Sequence, residues 1–159
     1  MVSIFGRSGF AYLSVSSSPL KDNLMFASLL PRDALLLSGR LLMAVLFLVM
    51  GWGKLADFQS AVSYMVQTGA PLPTLSAVFA IVVELGAGLA LVTGVLVEPV
   101  AIILAIYTVI TGLIGHHFWT MSGMLRYDMM IHFYKNISIA GGLLILASAG
   151  AGRFALRLR

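Results

Sequence analysis

The sequence predicts an all-α integral membrane protein, folded as an antiparallel four-helix bundle. Composition is the first observation: of 159 residues, 60% are hydrophobic and only 10% charged, where soluble domains carry about 25% charged residues. Second, the mean hydropathy is +1.00. Third, the apolar residues gather into four stretches, each near the ~20 residues that cross a hydrocarbon core. Nothing remains for a folded soluble domain.

Residues 1–33 are mixed. Ser14, Ser16, Ser17, Ser18, Pro19, Lys21, Asp22 and Asn23 interrupt the apolar runs, so no span fits there. The segment lacks the basic start, unbroken apolar run and small-residue cleavage site of a signal peptide. It reads as a retained cytoplasmic tail, with Met25 an alternative start. The bundle domain is residues 34–150. Its first span is 34–55, with Pro31 and Asp33 suited to a helix start and Lys54 at the far end. A loop with Asp57, Gln59, Tyr64, Gln67, Thr68 and Gly69 follows. Pro71 and Pro73 then break any helix, and Thr74 or Ser76 can cap the second span, 74–97. Thr93-Gly94 offers a stop, Glu98-Pro99 a tight return, and the third span is 100–119. The polar run TMSGMLRYD leads into the fourth, 129–149, and a basic tail closes the chain at 151–159.

Charge bias sets the orientation. Arg7, Lys21, Arg32, Arg153, Arg157 and Arg159 fall on one side, while the opposite loops hold Arg126, with Lys54 at their edge. Basic loops stay cytoplasmic, so both termini are expected inside, in agreement with an even number of spans. Gly86, Gly88, Gly94, Gly112, Gly115, Gly141 and Gly142 supply the small residues that let membrane helices approach closely.

With no cysteine, thiol exchange, thiolate metal ligation and disulfides are excluded. Any redox chemistry must therefore use a bound cofactor or a partner. The net charge of +4 comes from ten basic residues that form no stripe, so nucleic acid is not an expected partner. GWGK at 51–54 ends a membrane helix and is not a phosphate loop. No HExxH, nucleotide-binding glycine loop or nucleophile elbow occurs, which argues against a hydrolase or kinase.

Function is expected where polar groups sit inside the spans, because a charge in hydrocarbon costs about 2.5 to 3.5 kcal/mol even on the lenient insertion scale. These groups are Arg40, Lys54, Glu84, Lys135 and Asn136. Arg40 and Lys54 share one side of the first helix at opposite depths, about 21 Å apart along its axis. Glu84 lies about 15 Å into the second span, where its carboxylate reaches neither surface. Gly88, one turn on, leaves room beside it. Lys135, Lys54 and Arg40 are the candidate partners for Glu84. The bland alternative is an ion network that only fixes helix register, and Lys54 can instead snorkel to the surface. Trp119 reads as an interfacial residue. His117 with His132 and Asp128 has no metal-ligand spacing, so no metal is expected. Tyr107, Thr108 and Thr111 read as helix-to-helix hydrogen-bonding residues.

The ordered elements GR-x10-GWGK (39–54), E-x3-G (84–88), HHFW (116–119) and YKN-x4-GG (134–142) resemble the DoxX family over roughly residues 34–150. That resemblance implies a small bacterial inner-membrane protein with Arg40, Lys54, Glu84, His117, Lys135 and Asn136 at the family's polar positions. It also implies an association with membrane redox systems, through a quinone or a partner protein. In that reading Glu84, His117 and Lys135 are the catalytic candidates, relaying protons and donating hydrogen bonds. Arg40, Lys54, Gly88, Trp119 and Asn136 are the cofactor-binding candidates. The competing expectations are a module that binds or transports a small hydrophobic or anionic molecule, and a scaffold subunit of a membrane complex. Oligomeric state is left open.

Overall fold

The computed structural model describes residues 31–156. Most of the expected N-terminal tail, and Arg157 and Arg159 of the basic tail, lie outside these residues. The elements are α1 (Arg32–Ala56), α2 (Phe58–Gln67), α3 (Pro73–Thr93), α4 (Val97–Gly115), a 3-10 turn (Phe118–Thr120) and α5 (Gly123–Ala149). Among the described residues α1, α3, α4 and α5 are long and apolar enough to cross a membrane. α1 packs mainly on α3 and α4 mainly on α5, while the α3–α4 and α1–α5 seams are looser. We call the end where α1 begins and α5 finishes the terminal end, and the opposite one the far end.

The bundle interior mixes alanines with a few large side chains such as Phe47, Leu91, Leu104 and Leu143, while many other large apolar residues face outward. Ala44, Ala77, Ala80, Ala101, Ala105 and Ala140 are buried, whereas Leu42, Phe79, Val82, Ile103 and Ile145 are exposed. In lipid an outward aliphatic side chain costs nothing, and the helices associate through close contact of small faces. Gly88 is such a contact: a Cβ there would lie 2.8 Å from both Leu48 Cγ and Leu48 Cδ2 on α1. We expect Gly88→Val to destabilise the bundle by about 1–3 kcal/mol through overpacking. Gly86 has open space where its Cβ would be, so Gly86→Ala is the neutral control. Thermal melts in detergent separate the two.

Several boundaries differ from the sequence reading. The second span stops at Thr93, because Gly94 takes φ +81° and its N–H bonds to the Ala90 carbonyl. Neither Thr74 nor Ser76 caps α3; Pro73 occupies the first turn after Leu72, which has φ +45°. The third helix starts at Val97 and closes at Gly115, ahead of the 3-10 turn. The fourth begins at Gly123 rather than 129, so the polar run containing Arg126 and Asp128 is helical. At 27 residues this helix is about 40 Å long, well beyond a hydrocarbon core of about 30 Å, so its polar first turns can stand outside it.

The expected loop after the first span contains α2. Asp57 caps it, with Oδ1 accepting from the Ser60 N–H at 3.0 Å. α2 packs on α3 and α1, and its Tyr64 hydroxyl reaches to 3.0 Å from where a Gly115 Cβ would stand. The bond from the Ser60 backbone N–H holds the Asp57 carboxyl below the usual carboxylate range. A depressed folded value means that the cap stabilises above the unfolded carboxyl's range and is lost as pH falls through the folded value. Helical amide shifts of residues 60–63 should therefore collapse on acidification below about pH 4. Asp57→Asn, which caps without titrating, should show no such transition.

Candidate functional site

Glu84 is the one buried carboxylate among the described residues. α3 carries it inward between α1 and α4, where two side chains meet it. Lys54 Nζ donates to Glu84 Oε1 at 3.0 Å and Oε2 at 2.8 Å, and to the Met50 carbonyl at 3.4 Å. Tyr107 Oη of α4 donates to Oε1 at 2.7 Å. The pair is sealed unevenly: the Lys54 side chain is 21% exposed and that of Glu84 7%. Gly51, next to the pair on α1, has no room for a Cβ, which would meet Leu85 Cγ at 2.9 Å and Glu84 Cβ at 3.0 Å. That close approach of α1 to α3 lets a lysine near a helix end reach a carboxylate deep in the span. Phe79, largely exposed on the outer face of α3, tilts against the Tyr107 ring with centroids 6.3 Å apart. A chain of contacts thus runs from the lipid face through Phe79 and Tyr107 to Glu84 and Lys54.

Arg40 belongs elsewhere. It is fully buried at the terminal end and has no carboxylate partner among the described residues. Its Nη1 donates to the Ala151 carbonyl at 2.9 Å and its Nη2 to the Phe154 carbonyl at 3.1 Å, while Nε has no partner. Residues 150–156 form a hook beneath the bundle. The Leu156 N–H bonds to the Thr93 carbonyl at 2.8 Å, and the Arg153 N–H to Asp33 Oδ1 at 3.0 Å. Gly94 lets this happen, since a Cβ there would collide with Arg40 Nη1 and Ala155.

The remaining candidates do not converge. Lys135 is exposed on the outer face of α5, away from Glu84, in a groove lined by Met130, Ile131, Tyr134, Ser138 and Ile139. Asn136 packs between α4 and α5, its Nδ2 3.0 Å from where a Gly112 Cβ would be. His117 Nδ1 donates to the Ile114 carbonyl at 2.8 Å, an ordinary helix-end bond. Trp119 is exposed at the far end, in edge contact with Phe118 and Phe133. His116, not His117, stacks on His132, with centroids 5.1 Å apart. Thr111 bonds back to the Tyr107 and Thr108 carbonyls, and the buried Thr108 hydroxyl has no partner.

Residues 35–117 match the DoxX family. The chain is 41% identical over 128 residues to the inner membrane protein YphA of Escherichia coli K12, covering 80% of this chain and 91% of that protein. The chain belongs to the DoxX family. It is also 34% identical over 124 residues to the inner membrane protein YqjF of the same organism, with 78% and 90% covered. No solved structure matches it.

The stretch matching DoxX contains Arg40, Lys54, Glu84 and Tyr107, so all three groups of the ionic network lie within it. The acceptors of Arg40 and the α5 residues Lys135 and Asn136 lie beyond it. Sequence reasoning offered three cations for Glu84, and the structure selects Lys54. Arg40 and Lys135 are excluded by position. Tyr107, read only as a helix-to-helix donor, proves to be the second ligand of that carboxylate. Phenol and carboxylate at comparable depth were the available signal.

Proposed function

We propose that this DoxX chain is a quinone-linked component of a bacterial inner-membrane redox system, with Lys54, Glu84 and Tyr107 as its ionisable centre and both termini cytoplasmic. One observation carries the reading: a carboxylate deep in the membrane is held at once by an ammonium and a phenol, and an aromatic pair joins that phenol to the lipid. Residues of this kind in a span mark proton or ligand pathways. The seam between α3 and α4 fits a quinone headgroup, where Phe79 gives a ring face and Tyr107 a hydroxyl whose one hydrogen, now on Glu84, can turn to a quinone carbonyl. A bound quinone would supply two-electron, two-proton chemistry, its electrons coming from a partner. Tyr107 would give its phenolic proton to the reduced headgroup and regain one through Glu84 from the Lys54 ammonium, which is the partly exposed member of the network and recovers its own from water. The cysteine-free sequence fits this division of labour.

The test is mass spectrometry of quinones co-purifying with wild type, Tyr107→Phe and Glu84→Gln in mild detergent. Quinone in wild type that falls in both variants supports the reading. Bulk lipid alone in all three sinks it. The three bonds of Lys54, all to the chain itself, favour a scaffold subunit as the second reading.

A further inference from the structure

Lys135 stands in a transmembrane helix, exposed, with no hydrogen bond or ion pair among the described residues. It lies in a groove on α5 together with Tyr134 and Ser138, flanked by Met130, Ile131 and Ile139. An ammonium on a lipid-facing surface calls for an anion. Asp128, also exposed, sits seven residues earlier on the same helix, which places it within about 20° of the same face and about 10 Å closer to the far end. Arg126 is turned to the other side of the helix.

Side chains on a helix lean toward its N-terminus. For α5 that is the far end, so the Lys135 stem rises toward the depth of Asp128. The face then carries a cation deeper in the bilayer and an anion nearer the surface, and the groove reaches from Met130 and Ile131, between the two, inward past Lys135 to Ser138 and Ile139. A phospholipid in the far leaflet meets this pattern head to tail. Its phosphate is the deeper, negative group, its amine the outer, positive one, and its acyl chains continue along the groove.

We propose that this face of α5 is a binding site for a zwitterionic aminophospholipid of the ethanolamine type, with phosphate on Lys135 and primary amine on Asp128. A glycerol headgroup brings no cation to Asp128. A choline headgroup cannot donate a hydrogen bond to it. The site is separate from the Glu84 network and does not depend on the redox reading.

Native mass spectrometry of the full chain in mild detergent, supplied with equal amounts of phosphatidylethanolamine, phosphatidylglycerol and phosphatidylcholine, tests it. Wild type should retain the ethanolamine lipid in preference to both others, on the order of tenfold, which is the worth of one charge-assisted bond. Lys135→Met should abolish retention and Lys135→Arg restore it. Asp128→Asn should shift the preference to the glycerol lipid. Both residues are exposed, so these variants leave the packed interior intact. Equal or greater retention of phosphatidylglycerol or phosphatidylcholine by wild type, or unchanged retention by Lys135→Met, overturns the proposal.

Discussion

Glu84→Leu should lower stability by about 3 kcal/mol, because removing one partner of a buried ion pair strands the other charge. For a chain of this size that corresponds to a fall in melting temperature of roughly 10 °C. The magnitude follows from the geometry: Glu84 is almost fully enclosed, and Lys54 spends its bonds on it at 2.8 and 3.0 Å. Lys54→Met in the Glu84→Leu background should recover most of the loss, since two matched apolar side chains replace a pair whose desolvation was costly. A melt of both single variants and the double variant closes the cycle. If the double variant is no more stable than Glu84→Leu alone, the two residues are not energetically coupled and the ionic centre is misassigned.

The second large effect is local. Arg40→Met should leave the main melting transition nearly unchanged while releasing the hook at 150–156. The guanidinium binds carbonyls only, so its removal strands no opposite charge and also removes a desolvation cost. The hook loses two charge-assisted bonds, on the order of 3 kcal/mol together. Its opening should then be roughly 100-fold more frequent, read as faster tryptic cleavage after Arg153. Arg40→Lys should be intermediate, because an ammonium lacks the planar fork that spans two carbonyls. Wild-type cleavage rates in Arg40→Met would show that the hook is held by Arg153, Asp33 and Leu156 alone.

The spans were legible because hydropathy and length are local quantities, and a residue in lipid must satisfy its backbone within its own helix. Helix ends were less legible. Residues 123–128 look like a loop because Arg126 and Asp128 are polar, yet polarity marks only where the hydrocarbon stops, and α5 runs on past it. α2 was read as a loop since its ten residues are too short to span and carry several polar groups. At the candidate site, spacing along one helix showed that Glu84 needed a partner. It gave no information on how α1, α4 and α5 are rotated about their own axes, which decides between Lys54 and Lys135. The partners of Arg40 were beyond reach for another reason: they are backbone carbonyls, which every residue has and no sequence pattern marks.

The Arg40 bonds also bear on how the molecule is made. The guanidinium lies in the first span, and its acceptors follow the last, 111 and 114 residues later. At ordinary translation speeds that interval is on the order of ten seconds. Throughout it a nascent α1 enters the bilayer carrying a guanidinium without these acceptors, and only residues 150–156 supply them. While α1 inserts, the translocation machinery or lipid headgroups must shelter this arginine, until residues 150–156 relieve them of it.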